Sequence, residues 1–176
     1  MQRQKGIALF LSLVMLLILT ILGVSSVQTT TLQERMSRSA LDSNMAFQSA
    51  EATIHEAEDF IEANFESLVD FDAANAEDNG LYYEAAWNET PNWETGIWNS
   101  GTGYRTGTGV PGVTQPAQYI IEHIRTIVSD QDLLNLDNIG QDTGSGRVQV
   151  FRITTFGTGG PATARVVIQS TYGKKF

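Results

Sequence analysis

The residues that could do chemistry in this chain are few and lie far apart. Cysteine is absent, and the only histidines are His55 and His123. Without cysteine, thiol catalysis, cysteine-ligated zinc and disulfide bonds are excluded. The two histidines are too widely separated in sequence to form a metal-spaced pair. We therefore predict no catalytic, cofactor-binding or metal-ligating residue, and we expect the protein not to be an enzyme.

Two other patterns resemble ligand-binding loops only superficially. The acidic run DQDLLNLDNIGQD begins at Asp130, but Leu134 and Asn135 stand where a helix-loop-helix calcium site needs an oxygen ligand and a glycine. A solvated acidic loop is the better prediction. The glycine-rich segments 101–103 and 157–160 are predicted to be turns, because the first lacks the lysine and following helix of a phosphate loop and the second lies between strands.

One junction near the N-terminus does indicate a covalent step. A short basic leader containing Arg3 and Lys5 ends at the small residue Gly6. From Gly6 the chain runs for 28 residues, to Gln33, without a formal charge. A small residue at the head of such a run is where a type IV prepilin is cut. Gly6 and Ile7 are thus the candidate processing residues.

Two other interpretations of this N-terminus stay open. A secretory signal peptide has an apolar core of about 7–15 residues followed by small residues, and Val24-Ser25-Ser26 is a tolerable site of that kind. The apolar block Ile7–Val27 is longer, at 21 residues. The third interpretation is an uncleaved single-pass anchor, whose N-terminus Arg3 and Lys5 would hold in the cytoplasm.

The apolar block is long enough to cross a membrane as a helix. At about 1.5 Å per residue its 21 residues span about 32 Å, against a hydrocarbon core of about 30 Å. No proline occurs before Pro91, and Gly6 and Gly23 are the only glycines before Gly80. We therefore predict that one helix continues from about Ile7 to Asp70.

The second half of that helix is predicted to be amphipathic, with one face buried. Apolar residues recur mostly three or four positions apart, as expected for one stripe. They are Leu32, Met36, Ala40, Phe47, Ala50, Ile54, Ala57, Ile61, Phe65 and Leu68. The opposite face is predicted to stay in water, and its acidic residues are Asp42, Glu56, Asp59 and Glu66.

The remaining chain is predicted to form one small domain on that stripe. Fourteen of the 16 glycines and all four prolines follow Asp78. Segments 118–128, 147–156 and 162–172 are rich in β-branched residues and read as three strands of an antiparallel sheet. Such a sheet packed on the helix gives an α+β fold. We expect the three tryptophans, Trp87, Trp93 and Trp98, to lie in the core rather than in an exposed patch.

Several segments resemble one known family. The stretch from RQKGIALF through QTTTLQERM to NMAFQSAEA is similar to the N-terminal region of PilX-type minor pilins of the type IV pilus. The pieces GLYYEAAW and QYIIEHI and the closing FRITTFGTGGPATARVVIQSTYGKKF also resemble that family. Segments 99–115 and 130–146 match nothing recognisable. The resemblance implies a pilin fold and cleavage by a prepilin peptidase after Gly6, with N-methylation of Ile7.

One position departs from the general pilin pattern. Pilins usually carry a glutamate at the fifth mature residue, thought to pair with the terminal amine of a neighbouring subunit, whereas this chain has Leu11. A carboxylate within hydrocarbon is costly unless it is paired. A subunit without it offers no such charge to the subunit ahead, which favours a place at or near the tip of a filament. Leu11 is therefore the candidate assembly residue. The alternative interpretation is that hydrophobic packing alone suffices at this position.

These observations predict a structural role with protein partners. Loss of Arg3 and Lys5 would change the formal charge from −9 to −11, so direct nucleic acid binding is not expected. The expected division is a leader (1–6), a transmembrane and polymerisation helix (7–27) and a periplasmic head (28–176) that includes the amphipathic half-helix (28–70). Expected partners are the major pilin, other minor pilins, the prepilin peptidase and, before assembly, the inner membrane.

Two further functional classes remain open on the sequence. A pseudopilin of type II secretion shares the N-terminal pattern. A single-pass periplasmic binding or sensor protein would keep its leader. Before assembly we expect the N-terminus in the cytoplasm and the head in the periplasm, and after assembly a position in a pilus at the cell surface that supports adhesion or motility.

Overall fold

The computed structural model describes residues 5–69, 71, 79–94, 96–128 and 147–175. Their elements are the helix α1 (Lys5–Asn64) and the strands β1 (Leu81–Tyr83), β2 (Arg105–Thr106), β3 (Gln118–Val128), β4 (Arg147–Thr158) and β5 (Arg165–Lys175). Two short 3₁₀ turns, Asn92–Glu94 and Ile97–Asn99, precede β2. The chain divides into two compact units, Met1–Leu41 and Asp42–Phe176.

The helix α1 ends at Asn64, six residues before the predicted end. The side chain of Asn64 donates a hydrogen bond to the carbonyl of Phe60 at 2.8 Å, one turn back in the same helix. Phe65 then turns into the core, where it is 1% exposed. The prediction of a continuous helix was wrong at this end, because the helix is interrupted at residues 65–67 while the apolar periodicity continues through Phe65 and Leu68.

The five strands form one mixed sheet in the order β1-β3-β4-β5, with β2 also paired to β3. The pairs β3–β4 and β4–β5 are antiparallel, as predicted. β1 was not predicted, and it runs parallel to β3, with Leu81 opposite Ile121. A three-residue strand is too short to show alternation in sequence. Asn79-Gly80 forms a turn before β1, and Gly80 has φ +70, a conformation that glycine adopts without strain.

Two strand boundaries differ from the prediction. β4 continues through Gly157 and Thr158, which pair with Val166 and Arg165. β5 therefore begins at Arg165, three residues later than expected, and it ends at Lys175. The sequence pattern placed the turn at Gly157 because glycine usually punctuates strands. In the structure Gly157 is instead a strand residue that faces the helix.

The core lies between the second part of α1 and one face of the sheet. Its buried members are Ile54, Ala57, Ile61, Phe65, Phe71, Leu81, Tyr119, Ile121, Phe151 and Ile153. Phe65 is at its centre, with ring centroids 5.3 Å from Phe71 and 6.4 Å from Phe151. The predicted packing of an amphipathic helix on a sheet is thus confirmed for Ile54, Ala57, Ile61 and Phe65.

The start of the buried stripe was predicted wrongly. Leu32, Met36 and Phe47 are exposed, Phe47 at 46%, and burial begins at Ala46. The observed stripe also contains polar residues, Ser49 and Thr53, which are 0% and 2% exposed. Phe47 lies about 100° around the helix from Ala46, so the two residues cannot both face the sheet. We assigned Phe47 to the buried face of the helix because it is hydrophobic, and that assignment was wrong.

Small residues let the helix approach the sheet closely. A Cβ built on Gly157 would overlap the carbonyl oxygen of Ala46 and lie 2.9 Å from the Cβ of Ala50. A Cβ on Gly159 would overlap Asp42 in the same way. Glycine at these positions is therefore required by the packing rather than by a turn conformation.

Two of the four acidic residues that were predicted to face water instead bind loops of the head. Asp42 accepts hydrogen bonds from the hydroxyl of Thr163 (2.8 Å) and the backbone N–H of Ala164 (3.1 Å). Glu56 accepts one from the backbone N–H of Thr108 at 2.7 Å. Both carboxylates are half-buried, whereas Asp59 and Glu66 are exposed as predicted.

Candidate functional site

Within the unit Met1–Leu41, residues 7–27 present a helix surface without a charged side chain. An 18-residue window of this helix has a mean hydropathy of 3.0 and no buried residue, so its length and composition suffice to cross a membrane. Its hydroxyls are satisfied locally: Ser12 donates to the carbonyl of Leu9 at 2.9 Å and Thr20 to that of Leu17 at 2.8 Å. Locally paired hydroxyls lower the cost of placing these residues in an apolar environment.

The three sequence-predicted site residues lie together at the start of this helix. Ile7 is 61% and Leu11 62% exposed, and they are four positions apart, so their side chains share one face. Gly6 is exposed, and a Cβ built on it would meet no atom within 4 Å. Both the candidate cleavage junction and the candidate assembly position are accordingly exposed on the helix surface.

The unit Asp42–Phe176 contains a polar tether between α1 and the edge strand β5. The Tyr172 hydroxyl donates a hydrogen bond to the Glu62 carboxylate. The Lys174 ammonium lies 3.2 Å from the same carboxylate and donates to the carbonyls of Ile61 (3.1 Å) and Glu62 (2.8 Å). Those carbonyls lie in the last turn of the helix, where a cation is favourable.

This tether shifts the pKa values of both of its acidic groups. The hydrogen bond from Tyr172, helped by Lys174, lowers the pKa of Glu62. The bond to Glu62, with burial, raises the pKa of Tyr172 from 10.0 to about 12. The folded state therefore holds the Tyr172 proton more tightly than the unfolded state does. The stabilisation is complete below pH 10.0 and is lost as the pH rises towards 12.

We expect the melting temperature of the protein to fall between pH 10 and pH 12, and to fall less in a Tyr172→Phe variant, because phenylalanine has no proton to lose. Thermal unfolding of the full chain in detergent micelles, measured across this pH range, tests the expectation. Tyr104→Phe is the control, because no carboxylate in the described part of the chain is hydrogen-bonded to the Tyr104 hydroxyl. Equal pH dependence in the native chain and in Tyr172→Phe would contradict the assignment.

The outer face of the sheet, opposite α1, carries a buried charge network that the sequence analysis missed. Glu122 in β3 is fully buried, and its Oε2 lies 2.9 Å from the Nε of Arg152, directly opposite in β4. Its Oε1 accepts a hydrogen bond from the side-chain amide of Asn92 at 2.8 Å. Arg152 also lies 3.4 Å from Glu84. The bond to Glu122 raises the pKa of Arg152, so this guanidinium stays charged.

The network anchors the segment 84–99 to the outer face of the sheet. Asn92, besides its bond to Glu122, donates to the carbonyl of Tyr83 at 3.0 Å. Further along, the Trp98 ring stacks on Phe156, with centroids 5.4 Å apart and planes 13° apart. The indole N–H of Trp98 donates to the carbonyl of Trp93 at 2.9 Å. The segment is thus held at both of its 3₁₀ turns.

The tryptophans do not form part of the buried core, contrary to the prediction. Trp93 and Trp98 are half-buried, and Trp87 is 98% exposed. The apolar face of the sheet that the helix covers is filled by phenylalanine, isoleucine and tyrosine side chains. The prediction was wrong because it rested on the rarity of exposed apolar patches and could not show which face of the sheet this segment crosses.

The two histidines occupy unrelated places. His55 is exposed on α1, with its Nδ1 3.3 Å from Glu58. His123 is buried in β3, where its Nε2 bonds to the amide oxygen of Gln149 at 2.9 Å and its ring packs on Phe151. Within the ranges that the structure describes, no three His, Asp or Glu residues are grouped to hold a metal ion. The acidic run from Asp130 lies outside the described residues.

An apolar N-terminal helix whose later turns pack on the sheet of an α+β head is the arrangement of a type IV pilin-like protein. Two family models match the chain: PilX N-terminal over residues 5–54, and Type IV pilus assembly protein PilX C-term over residues 72–174. The chain therefore belongs to the PilX family of type IV pilus assembly proteins. No characterised protein and no solved structure matches it.

Proposed function

We propose that this minor pilin helps to initiate type IV pilus assembly and sits in or near the tip complex, where it supports pilus-dependent adhesion or motility. Membership of the PilX family identifies it as a component of pilus assembly that acts with other pilus proteins. The tip position, the particular partners and the role of the pilus go beyond the family and are our proposal. The observation that carries the tip position is the apolar residue at position 11.

The proposed division of the chain follows from its processing. Residues 1–6 are the leader, 7–27 the helix that is first a membrane span and then a polymerisation element, and 28–176 the head. Cleavage after Gly6 by a prepilin peptidase would make Ile7 the new N-terminus, which is then methylated. The exposure of Gly6 and Ile7 supports this proposal because a peptidase needs access to the bond that it cuts.

Leu11 supports a place at the tip because this residue has no carboxylate. Its side chain is 62% exposed on an apolar helix, so in a filament it would contact neighbouring helices. It carries no charge to pair with the terminal amine of a subunit ahead. A tip subunit has no forward neighbour, so it has no need of that charge, and its own amine can be paired by a glutamate of another minor pilin.

Leu11→Glu tests the tip position. In a tip subunit the carboxylate that this substitution introduces gains no partner amine. An unpaired carboxylate in the bilayer costs up to about 2.5–3.5 kcal/mol on insertion scales, the value for the centre of the membrane. We therefore expect pilus number to stay the same or fall, with no increase of the protein along the shaft. Immunogold counts of this subunit along sheared pili, compared between native and substituted cells, provide the measurement.

The matched control is Leu13→Glu, two residues away on the same helix, where the native leucine is 60% exposed. It introduces the same charge at a similar depth but on a different side of the helix. An ordinary shaft subunit would gain incorporation from Leu11→Glu and not from Leu13→Glu. Increased labelling of the shaft by Leu11→Glu alone would therefore overturn the tip assignment.

The two remaining functional classes differ in measurable ways. A pseudopilin of type II secretion would be cleaved at the same junction but would affect secretion rather than surface pili when its gene is deleted. A binding or sensor protein with an uncleaved anchor would still begin at Met1. The match of the PilX C-terminal model over residues 72–174 favours the pilus over both.

A further inference from the structure

The loop between β1 and the first 3₁₀ turn presents an indole to solvent. Trp87 occupies a tight turn, Ala86–Glu89, which is closed by a hydrogen bond of 2.8 Å from the N–H of Glu89 to the carbonyl of Ala86. The Trp87 side chain is 98% exposed, although the segment on both sides of it is held to the sheet. Tryptophan is among the residues most enriched where proteins bind partners, and leaving it fully hydrated is unfavourable.

A cleft of about 150 Å³ lies beside this indole. The residues that line it include Trp87, Trp93, Glu84, Glu89, Pro91 and Arg152. Two indoles and two carboxylates thus face one small open space. An aromatic face next to carboxylates is the chemistry that recognises organic cations, because the ring quadrupole and the negative charges both attract them.

The charge balance of the cleft favours a cation over an anion. Its one basic group, Arg152, already pairs with the buried Glu122 at 2.9 Å and lies 3.4 Å from Glu84. Within the described part of the chain, no basic side chain forms an ion pair with Glu89. The cleft and the buried Glu122 together carry three carboxylates against one guanidinium, so an added anion would be repelled. An added cation would find an unneutralised carboxylate.

We propose that this cleft binds a lysine or arginine side chain of a partner protein. A tethered side chain fits better than a free small cation, because the cleft is shallow and open and leaves most of a free ion hydrated. A side chain carried on a protein surface brings additional contacts around the cleft, including the exposed faces of Trp87. The anchoring of the segment by Glu122 and Asn92 means that little ordering is required on binding.

The three tryptophans provide a direct test by nuclear magnetic resonance. The full chain, isotope-labelled at its indole N–H groups in detergent micelles, should give three indole resonances that single Trp→Phe variants assign. N-acetyl-lysine methylamide and N-acetyl-arginine methylamide are the cationic probes, and N-acetyl-norleucine methylamide and methyl glucoside are the neutral ones. We expect only the cationic probes to shift the Trp87 resonance in a saturable way. Trp98, packed on Phe156, should not move.

Charge-removing variants test the carboxylates. The double variant Glu84→Gln/Glu89→Gln should weaken binding of the cationic probes by about 3-fold to 10-fold, the range expected for exposed cation–π and ion-pair contacts. Glu89→Gln alone, which leaves both ion pairs of Arg152 intact, should also weaken it. The matched control is Glu94→Gln, an exposed acidic residue of the neighbouring 3₁₀ turn that does not line the cleft.

Two results would overturn the proposal. One is a shift of the Trp87 resonance by the norleucine or glucoside probe as large as that by the cationic probes, which would indicate an apolar or sugar-binding surface. The other is unchanged affinity for the cationic probes in Glu89→Gln. The Trp98 resonance reports in every variant whether the segment has kept its place on the sheet, so loss of folding is recognised separately.

Discussion

A precursor carrying Gly6→Phe is expected to remain uncleaved in the inner membrane, and surface pili are expected to decrease. The reason is steric: the proposed cut follows Gly6, where the native chain has no side chain and an added Cβ meets nothing within 4 Å. Any block must therefore arise in the peptidase and not from a clash within this protein. The mass of the N-terminal peptide of the purified protein measures the outcome, with Ile7 first in the native protein and Met1 in the variant.

Gly23→Phe is the matched control for this substitution. It introduces the same bulk into the same apolar helix, again at a glycine with no neighbour within 4 Å, but far from the proposed cut. It should be processed normally, which separates an effect on cleavage from an effect on membrane insertion. If the native protein isolated from cells still begins at Met1, the prepilin interpretation is wrong.

The head is expected to lose about 3–5 kcal/mol of its free energy of unfolding in the variant Phe65→Ala, because the truncation leaves a cavity among packed aromatic rings. Phe65 is 1% exposed and contacts Phe60, Phe71 and Phe151 with centroid distances between 5.3 and 6.4 Å. Denaturant unfolding of the full chain in detergent micelles, followed by tryptophan fluorescence, measures the loss. At a stability of about 5–15 kcal/mol such a loss leaves the fold marginal.

Phe47→Ala provides a matched comparison on the same helix. The residue type and the substitution are identical, but Phe47 is 46% exposed, so the expected loss is under about 1 kcal/mol. Equal losses in the two variants would show that the helix packs on the sheet by another face. The pair thus tests which face of the helix is buried against the sheet.

Periodicity and composition predicted the main elements well. The uncharged run from Gly6 to Gln33 and the absence of proline before Pro91 predicted a long N-terminal helix, and Lys5–Asn64 is helical. The β-branched segment 118–128 predicted β3 with its observed bounds. These signals are local: a helix or strand of more than ten residues shows its burial pattern in its own sequence.

The errors arose where one side chain can meet several different partners. Phe47 was assigned to the core and Asp42 to solvent from hydrophobicity alone, whereas Asp42 binds the β4–β5 turn and Phe47 faces outward. Gly157 was interpreted as a turn, although it is in β4 and makes room for α1. Each of these outcomes depends on a residue more than 100 positions away or on the rotation of the helix, and neither is visible in a local pattern.

The outer face of the sheet shows the same limit. Glu122 and Arg152 are opposite charges at interior positions of two strands, and this is a signal that the sequence did contain. Their pairing depends on the register of β3 against β4, which places them directly opposite each other. A shift of one residue would have put them on different faces. The bond between Asn92 and Glu122 belongs to the same network, so it too depends on that register.

The sequence by itself determined the apolar helix and the strand segments, because charge, hydrophobicity and the helix and strand periods are properties of neighbouring residues, and its resemblance to PilX-type minor pilins indicated the class of protein. Only the tertiary structure decided which face of the helix is buried, which glycines make room for packing, and which carboxylates bind loops or an arginine. Those outcomes require distant residues to meet, and their free energies depend on geometry that exists only once the helix and sheet have come together.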